Sequence, residues 1–293
     1  MKQNMNQVLV INKEKEMTSR DVVNEVCKIF HMKKVGHTGT LDPIATGVLI
    51  ICMGKYTKLV EELTSYQKEY VAEVILGLDT DTLDTTGIIL KEEKAVFSKR
   101  EIEKVLNNFP SSYEQEVPIY SAVKMNGKKL YEYAREGIEI TLPKRTVQIF
   151  SLSLVDDVVI KEDKTIFKIR CSVSKGTYIR SLIKDIAKAL NTVGVMKELI
   201  RTKQGDFTLT EAYTLDEVKE GKFSFASQDK IFSHYEKVTL NEEEFIKVQN
   251  GMKLKRNIDG QKVFFVDKNN NPIAIYQVDE KDDTRIKPYK MFL

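Results

Sequence analysis

The sequence predicts an α+β protein with a small β domain at its C-terminal end. Strand-like and helix-like segments are mixed without the regular βαβ alternation of a doubly wound sheet. From about residue 240 to residue 293, short alternating runs are separated by Asn-rich turns, which is typical of a small β unit. A chain of 293 residues is long enough for one large domain and this small one.

Periodicity and capping signals locate the individual elements. Thr18 and Asp21 resemble a capping box that opens a helix, and Ser98 and Glu101 repeat the pattern. A third helix is indicated by apolar residues at helical spacing, with Gly194 just beyond its end. The predicted helices extend to about Ile29, to about Asn107 and over 179–190; the predicted strands are 8–11, 48–53, 70–76, 165–173, 262–266 and 272–278.

The composition excludes several classes of protein. Cys27, Cys52 and Cys171 are odd in number and far apart, so they offer neither a disulfide framework nor metal-ligand spacing. The three histidines are equally scattered, and we expect no metal site. The apolar run after Gln7 is too short for a signal peptide, and no window approaches the roughly 20 apolar residues of a membrane span. We therefore expect a cytoplasmic protein without a membrane partner.

Positive charge is concentrated in two stretches of the chain. The net charge is only +3, but residues 120–146 carry a net +3 and residues 171–206 a net +4, so the remainder is acidic. Such clustering suits a protein that follows phosphates with one face. A solvated charged surface is the alternative that charge alone leaves open.

The segment Val35–Val48 is the strongest candidate for chemistry. It contains Gly36, Gly39 and Gly47, which allow sharp turns or close backbone approach. Pro43 disfavours helical geometry at Asp42, so this acid lies on an extended loop beside apolar strands. Asp42 is thus a candidate nucleophile or base. An aspartate that caps its own turn is the alternative.

Other ligand-binding motifs are missing or imperfect. No G-x-G-x-x-G is present, and Gly54-Lys55 lacks the remaining residues of a phosphate loop. The acidic stretch 79–87 has Leu83 at the third ligand position of a calcium loop, so a turn rich in side-chain-to-backbone bonds is expected instead.

Arg180 stands in the first turn of a predicted helix, where the helix dipole disfavours a cation. An anionic partner, either a phosphate or a carboxylate such as Asp42, would explain its position. A surface arginine in solvent remains the alternative. Residues 115–135 form a separate candidate, in which tyrosines alternate with lysines around Gly127. They suit stacking on bases, although an ordinary amphipathic helix fits the pattern too.

Together these segments resemble the TruB family of tRNA pseudouridine synthases, and the resemblance extends over nearly the whole chain. Gly36–Leu49 is similar to the family's catalytic block, which is a long and specific motif. The other matching segments are Lys68–Tyr70, Leu76–Gly87, Tyr120–Ala122, Ser174–Ser181 and Ile200–Phe207.

By this resemblance, Asp42 is the catalytic aspartate and Arg180 is its ion-pair partner. Tyr70 would stack on the target uracil, Tyr178 would line the same pocket, and His37 would lie against the RNA and keep the base unstacked. Whether Asp42 attacks the ribose, attacks the base or draws a proton stays open. The further candidate RNA-binding residues are Lys68, Lys124, Lys175 and Arg201.

The resemblance also implies an architecture and a substrate. We expect a catalytic domain over 1–236, with a mixed, largely antiparallel sheet flanked by helices and a mobile thumb at about 121–146. Residues 237–293 would form a PUA-like RNA-binding domain. The substrate would be uridine 55 in the T-arm of tRNA. Pseudouridine formation involves no redox change, so we expect no cofactor, and we infer a monomer without an obligate protein partner.

Two other functions must be distinguished from this one. A non-catalytic tRNA-binding or tRNA-folding protein would need the basic stretches but not Asp42 and Arg180 together. A glycoside hydrolase would need two acids beside the sugar bond, and the Asp42 loop offers one.

Overall fold

The computed structural model describes residues 5–293. In chain order its strands are β1 (Gln7–Lys13), β2 (Val35–His37), β3 (Thr46–Met53), β4 (Lys68–Leu76), β5 (Leu78–Thr80), β6 (Ile89–Glu92), β7 (Ser112–Glu116), β8 (Lys124–Met125), β9 (Lys128–Lys129), β10 (Lys144–Leu154), β11 (Val159–Lys161), β12 (Lys164–Val173), β13 (Gly194–Gln204), β14 (Phe207–Thr208), β15 (Glu236–Thr239), β16 (Leu254–Lys255), β17 (Lys262–Val266), β18 (Pro272–Asp279) and β19 (Asp282–Met291).

The helices are mostly short. They are α1 (Ser19–Ile29), α2 (Val60–Ser65), α3 (Lys99–Asn107), α4 (Leu130–Arg135), α5 (Ile179–Ala189), α6 (Leu215–Lys219), α7 (Gln228–Ile231) and α8 (Glu242–Gln249). None of the helices within residues 5–293 is long and apolar enough to cross a membrane.

A large central sheet takes its strands from residues 7–208. Its strand order is β1-β3-β13-β4-β12-β10-β7. Three further strands pair outside this order: β2 with β3, β11 with β12 and β14 with β13. Within the described residues the pairings of this sheet are antiparallel except for β3 with β13. The prediction of an α+β fold with a largely antiparallel sheet is therefore confirmed.

The two apolar strands β1 and β3 are buried on both faces, which explains why they are continuously hydrophobic rather than alternating. One face joins the core that α1 and α5 cover, through Leu9, Ile11, Leu49 and Ile51. The other face belongs to a second core shared with the C-terminal region, through Val8, Val10, Val48 and Ile50.

The C-terminal region forms a five-stranded sheet in the order β15-β17-β18-β19-β16. Phe264, Ile275 and Phe292 of this region pack in the same core as β1 and β3. Polar contacts reinforce this packing, since Lys262 Nζ donates to both carboxylate oxygens of Glu62 at 2.8 and 2.9 Å. The predicted small C-terminal β region is thus present and lies against the back of the large sheet.

Capping signals located the helices well. Thr18 and Asp21 form the expected capping box of α1, and Ser98 and Glu101 form that of α3. The acidic stretch 79–87 is a turn held by its own side chains, as expected, because Asp84 Oδ1 accepts hydrogen bonds from Thr86.

The segment predicted as a thumb, residues 121–146, differs from a single amphipathic helix. It contains the small hairpin β8–β9 followed by the one-and-a-half-turn helix α4. Its residues 144–146 belong to β10, and the insertion between the paired strands β7 and β10 closes where Val117 N donates to Pro143 O at 2.9 Å.

Candidate active site

The loop that carries Asp42 connects β2 to β3 and is held in place by hydrogen bonds to the start of α1. Leu41 N donates to Ser19 Oγ at 2.9 Å, and Ser19 Oγ donates to Leu41 O at 3.3 Å. Ser19 is buried at the first position of α1, directly after the capping residue. The helix N-terminus therefore holds the backbone next to Asp42, while the Asp42 side chain stays 36% exposed.

A buried lysine supports the same loop. Lys13 Nζ, at the end of β1, donates to Met17 O at 2.7 Å, to Glu14 O at 2.8 Å and to Pro43 O at 3.4 Å. Burial lowers the pKa of Lys13 to about 8, while the negative charge of Asp42 acts in the opposite direction. Sequence reasoning missed this residue, although a lysine at the end of an apolar strand was a visible signal.

Arg180 and Asp42 lie together. Arg180 Nε is 2.9 Å from Asp42 Oδ2, and the arginine side chain is only 6% exposed. Its other nitrogens donate to main-chain carbonyls, Nη1 to Thr82 O at 2.8 Å and Nη2 to Tyr120 O at 3.0 Å. The guanidinium is thus held in one orientation by three separate segments of the chain.

A second carboxylate, that of Asp84, lies near the Arg180 guanidinium. Asp84 Oδ2 is 4.0 Å from Arg180 Nη1, and the Asp84 side chain is 7% exposed. Sequence reasoning treated Asp84 as part of a structural turn and missed this proximity, because the residue lies almost 100 positions before Arg180 in the chain.

Asp42 and Arg180 line a pocket of about 390 Å³. Tyr70 and Tyr178 are also in its wall, and so are Lys68 and Arg201. Six of the nine predicted site residues therefore meet at one cavity.

The two tyrosines reach the pocket from different elements. Tyr70 lies near the start of β4, opposite Cys171 of β12 and Arg201 of β13. Burial raises the pKa of Tyr70, and Arg201 opposes this shift. Tyr178 is the N-cap residue of α5, and the Arg145 guanidinium lies 5.5 Å from the centre of its ring.

Lys68 and Arg201 are more deeply buried than a phosphate-contacting side chain usually is. Lys68 Nζ donates to Thr64 O and Tyr66 O, both at 2.7 Å, at the end of α2. Burial lowers the pKa of Lys68 to about 7, with further lowering by Arg201 and Lys175.

Arg201 is 1% exposed and supports the Asp42 loop from β13. Its Nε donates to Val48 O at 2.6 Å and its Nη2 donates to Gly39 O at 3.1 Å. A direct contact between Arg201 and an RNA phosphate would require a different side-chain position.

The remaining three predicted residues lie outside the pocket wall. Lys124 on β8 and Lys175 in the turn before α5 are exposed. His37 is on β2, and its Nδ1 is buried without a hydrogen-bond partner among the described residues. Burial is the largest cause of the lowered pKa of His37, and the positive charges of Arg20 and Arg201 lower it further.

Two solved structures share this fold. One is a complex of Cbf5, Nop10 and Gar1, in which the similar chain is 24% identical with a TM-score of 0.71, over 99% of this chain and 86% of that one. The other is an H/ACA RNP bound to a substrate RNA containing 2'-deoxyuridine, at 23% identity and a TM-score of 0.70, over 98% and 85% of the two chains.

Two family models match consecutive parts of the sequence. Residues 27–179 match the TruB family pseudouridylate synthase N-terminal domain, and residues 180–238 match the tRNA pseudouridylate synthase B C-terminal domain. The fold and these matches define the class of the protein, which is a pseudouridylate synthase.

Bacterial relatives are similar over the full length. Proteins named tRNA pseudouridine synthase B from Bacillus cytotoxicus and Bacillus cereus are 39% and 40% identical to this chain, over 99% of it and 98% of their own lengths. The protein of that name from Bacillus pumilus is 45% identical over 84% of this chain and 82% of its own. This chain belongs to the TruB family.

Proposed function

We propose that this protein converts uridine 55 in the T-arm of tRNA to pseudouridine, with Asp42 as the catalytic carboxylate. The observation that carries the proposal is the partly exposed Asp42 carboxylate, which a buried Arg180 guanidinium contacts at 2.9 Å in a pocket lined by two tyrosines. Membership of the TruB family supports the reaction, and the names of its bacterial relatives support tRNA as the substrate.

The target uridine has to leave its stack before Asp42 can reach it. A base inside a structured loop is inaccessible to a carboxylate on a protein, so enzymes that act on bases flip them into a pocket. The cavity beside Asp42, of about 390 Å³, has the scale of a pocket for one nucleotide. In this proposal Tyr70 stacks on the flipped uracil, and Tyr178 lines another side of the same pocket.

The chemistry requires one positioned carboxylate and no electron transfer. Breaking the C–N glycosidic bond, turning the base and forming a C–C bond leaves the oxidation state of the molecule unchanged. Asp42 acts either as a nucleophile or as a base in this sequence. Arg180 orients the carboxylate through Nε, and the carbonyls of Thr82 and Tyr120 hold the guanidinium in place.

RNA binding would involve residues beside the pocket, residues in its wall and two larger segments of the chain. Lys175 and Lys124 are exposed next to it and are suited to phosphates, and His37 would help to keep the base unstacked. Arg201 would contribute positive potential from the pocket wall, and Lys68 would do so in its protonated form, since its pKa is lowered to about 7. The thumb at 121–146 and a PUA-like domain at 237–293 would extend the surface along the tRNA.

The test is to incubate the protein with an unmodified tRNA transcript and to map pseudouridine at every uridine. We expect product at position 55 alone, and none with a transcript that carries cytidine there. Asp42→Asn should lower the single-turnover rate by about 10³-fold or more while tRNA affinity stays within a few-fold. Asp157→Asn, which changes an exposed aspartate, is the matched control.

The outcomes separate the alternatives. Tight tRNA binding without pseudouridine formation would support a non-catalytic tRNA-binding or tRNA-folding protein. Product at another uridine would contradict the T-arm assignment, and substantial turnover by Asp42→Asn would contradict the role of Asp42.

A further inference from the structure

A buried glutamine on the edge strand β7 contacts the start of helix α5. Gln115 has no exposed surface. Its Oε1 accepts the main-chain N–H of Tyr178 at 2.8 Å, and its Nε2 donates to the carbonyl of the same residue at 3.1 Å. One amide side chain therefore holds both main-chain groups of the residue that precedes Ile179 and Arg180.

The orientation of this amide is determined by its partners. The Tyr178 N–H can only donate and the Tyr178 carbonyl can only accept, so Oε1 and Nε2 cannot be exchanged. The second hydrogen on Nε2 is donated to the Tyr113 hydroxyl oxygen at 2.8 Å. Tyr113 in turn donates to Asp185 Oδ2 at 2.9 Å, in the second turn of α5. Each amide hydrogen of Gln115 is thus satisfied inside the protein.

Helix α5 depends on this contact because its own N-terminus is not capped by a side chain. Tyr178 is the N-cap residue, and its side chain makes no capping hydrogen bond. The first N–H groups of a helix have no partner within the helix, so an outside acceptor fixes where the helix begins. Gln115 supplies such an acceptor at Tyr178.

A neighbouring contact ties the same strand to the same turn. Ser181 Oγ donates to the main-chain oxygen of Glu116 at 2.8 Å. Arg180 lies between Tyr178 and Ser181, so both flanks of the arginine are attached to consecutive residues of β7. Arg145, which is opposite Gln115 in the β7–β10 pairing, lies over the Tyr178 ring.

We propose that Gln115 is a positioning residue for the reaction, because its amide sets the first turn of α5 and thereby aims Tyr178 and Arg180 at the pocket. Gln115 does not line that pocket, so it acts through those two residues. The inference rests on the proposed function. A displacement of about 1 Å in a catalytic group costs on the order of 10²-fold in rate, so loss of this anchor should be visible in the chemical step.

The first test replaces the amide with a side chain of similar shape that cannot form these hydrogen bonds. Gln115→Met should lower the single-turnover rate of pseudouridine formation by about 10- to 100-fold, with tRNA affinity within about twofold of the wild type. Gln148→Met, on the adjacent strand and exposed, is the control and should keep the wild-type rate. A wild-type rate in Gln115→Met, or a rate loss no larger than the loss of tRNA affinity, would overturn the proposal.

The second test uses the pH dependence of Gln115→Glu. An ionised glutamate accepts the Tyr178 N–H but repels the Tyr178 carbonyl, whereas the protonated acid accepts one and donates to the other as the amide does. The rate of Gln115→Glu relative to the wild type should therefore rise at least severalfold from pH 8 to pH 6. A ratio independent of pH would contradict the proposal, and this measurement decides the matter if Gln115→Met does not fold.

The wild-type protein distinguishes this inference from the proposed function. If the wild type forms no pseudouridine, the proposed function fails. If the wild type is active and Gln115→Met matches it, only the role of Gln115 fails.

Discussion

At the scale of single residues, the Arg180 side chain links three parts of the site. Its contact with Asp42 at 2.9 Å is made by Nε, and neither Nη atom forms a hydrogen bond to this carboxylate, so the pair is not the two-bonded fork that arginine and carboxylate often form. Both Nη atoms instead donate to carbonyls of Thr82 and Tyr120. The orientation of the Asp42 carboxylate therefore depends on the main chain at Thr82 and Tyr120, neither of which lines the pocket.

Arg180→Lys tests this dependence. A lysine keeps the positive charge but cannot contact Asp42 and both carbonyls at once, so we expect a rate loss of about 10²-fold with little change in tRNA affinity. Single-turnover kinetics measure the rate. Arg170→Lys, which alters an exposed ion pair with Glu69, is the control and should have near-wild-type activity. Equal rates for the two variants would refute a special role for the guanidinium.

Lys68 gives a prediction about stability and pH. Burial lowers its pKa from 10.5 to about 7, so between these values the unfolded chain binds a proton that the folded protein does not. Stability rises with pH wherever the unfolded state binds more protons. Relative to Lys68→Met, the wild type should therefore gain free energy of unfolding from pH 7 to pH 9.

Urea unfolding at pH 7, 8 and 9 measures this difference. Lys124→Met is the control for removal of an exposed lysine. The free energy of unfolding of the wild type minus that of Lys68→Met should rise with pH, and a value that falls or stays constant would contradict the burial of the ammonium.

Sequence reasoning found Asp42 and Arg180 because each conflicts with its local surroundings, one on a glycine-containing bend and the other at the wrong end of a helix. Asp84 and Gln115 show no such local conflict. Their importance comes from partners far along the chain, for example Tyr178 for Gln115, and contacts of this kind are set by the tertiary fold.

At the scale of elements, the junction of β3 with β13 fixes the Asp42 loop and requires a glycine. Gly47 has φ +101°, and a Cβ atom there would be 2.3 Å from Arg201 O. The parallel pairing of β3 and β13 consists of Thr46 with Ile200 and of Gly47 with Arg201, so any side chain at Gly47 would separate the strands.

Gly47→Ala should lower the free energy of unfolding by about 2 kcal/mol or more, through left-handed strain and the clash with β13. Gly127→Ala is a matched control, because Gly127 also has positive φ but has no atom within 4 Å of the added methyl group. Chemical denaturation gives the free energy of unfolding of each variant, and the difference between the two losses measures the effect of the clash apart from that of backbone strain. Similar losses in both would mean that backbone strain alone explains the effect.

Elements with strong local signals were predictable from the sequence. Helices α1 and α3 have complete capping boxes, and strands β17 and β18 are short apolar runs separated by an Asn-rich turn. Strand β2 and the hairpin β8–β9 were missed, because two or three residues carry no periodicity. Their strand pairing depends on partners rather than on their own sequence.

At the scale of the whole molecule, the net charge of +3 conceals an uneven distribution. The basic stretches 120–146 and 171–206 both contribute residues to the pocket wall. If they contact tRNA phosphates, binding releases counterions and the affinity falls as salt increases.

Replacing Lys124 and Lys175 together by Ala should reduce the slope of log affinity against log salt concentration by about 1 per lysine. Filter-binding titrations with tRNA at several salt concentrations measure the slope. Lys161→Ala, an exposed lysine on β11, is the control and should leave it unchanged. An unaltered slope in the double variant would place the RNA on another face.

The shared core behind β1 and β3 limits how this protein can change through evolution. Tyr56 and Phe292 meet there with ring centroids 5.3 Å apart, and Phe232 stacks on Phe264 at 3.8 Å. Removal of residues 236–293 would take Phe264, Ile275 and Phe292 out of this core and expose part of the apolar face that Val8, Val10, Val48 and Ile50 form. That face would then favour aggregation unless polar residues replaced it, so the terminal segment and these two strands constrain each other's sequences.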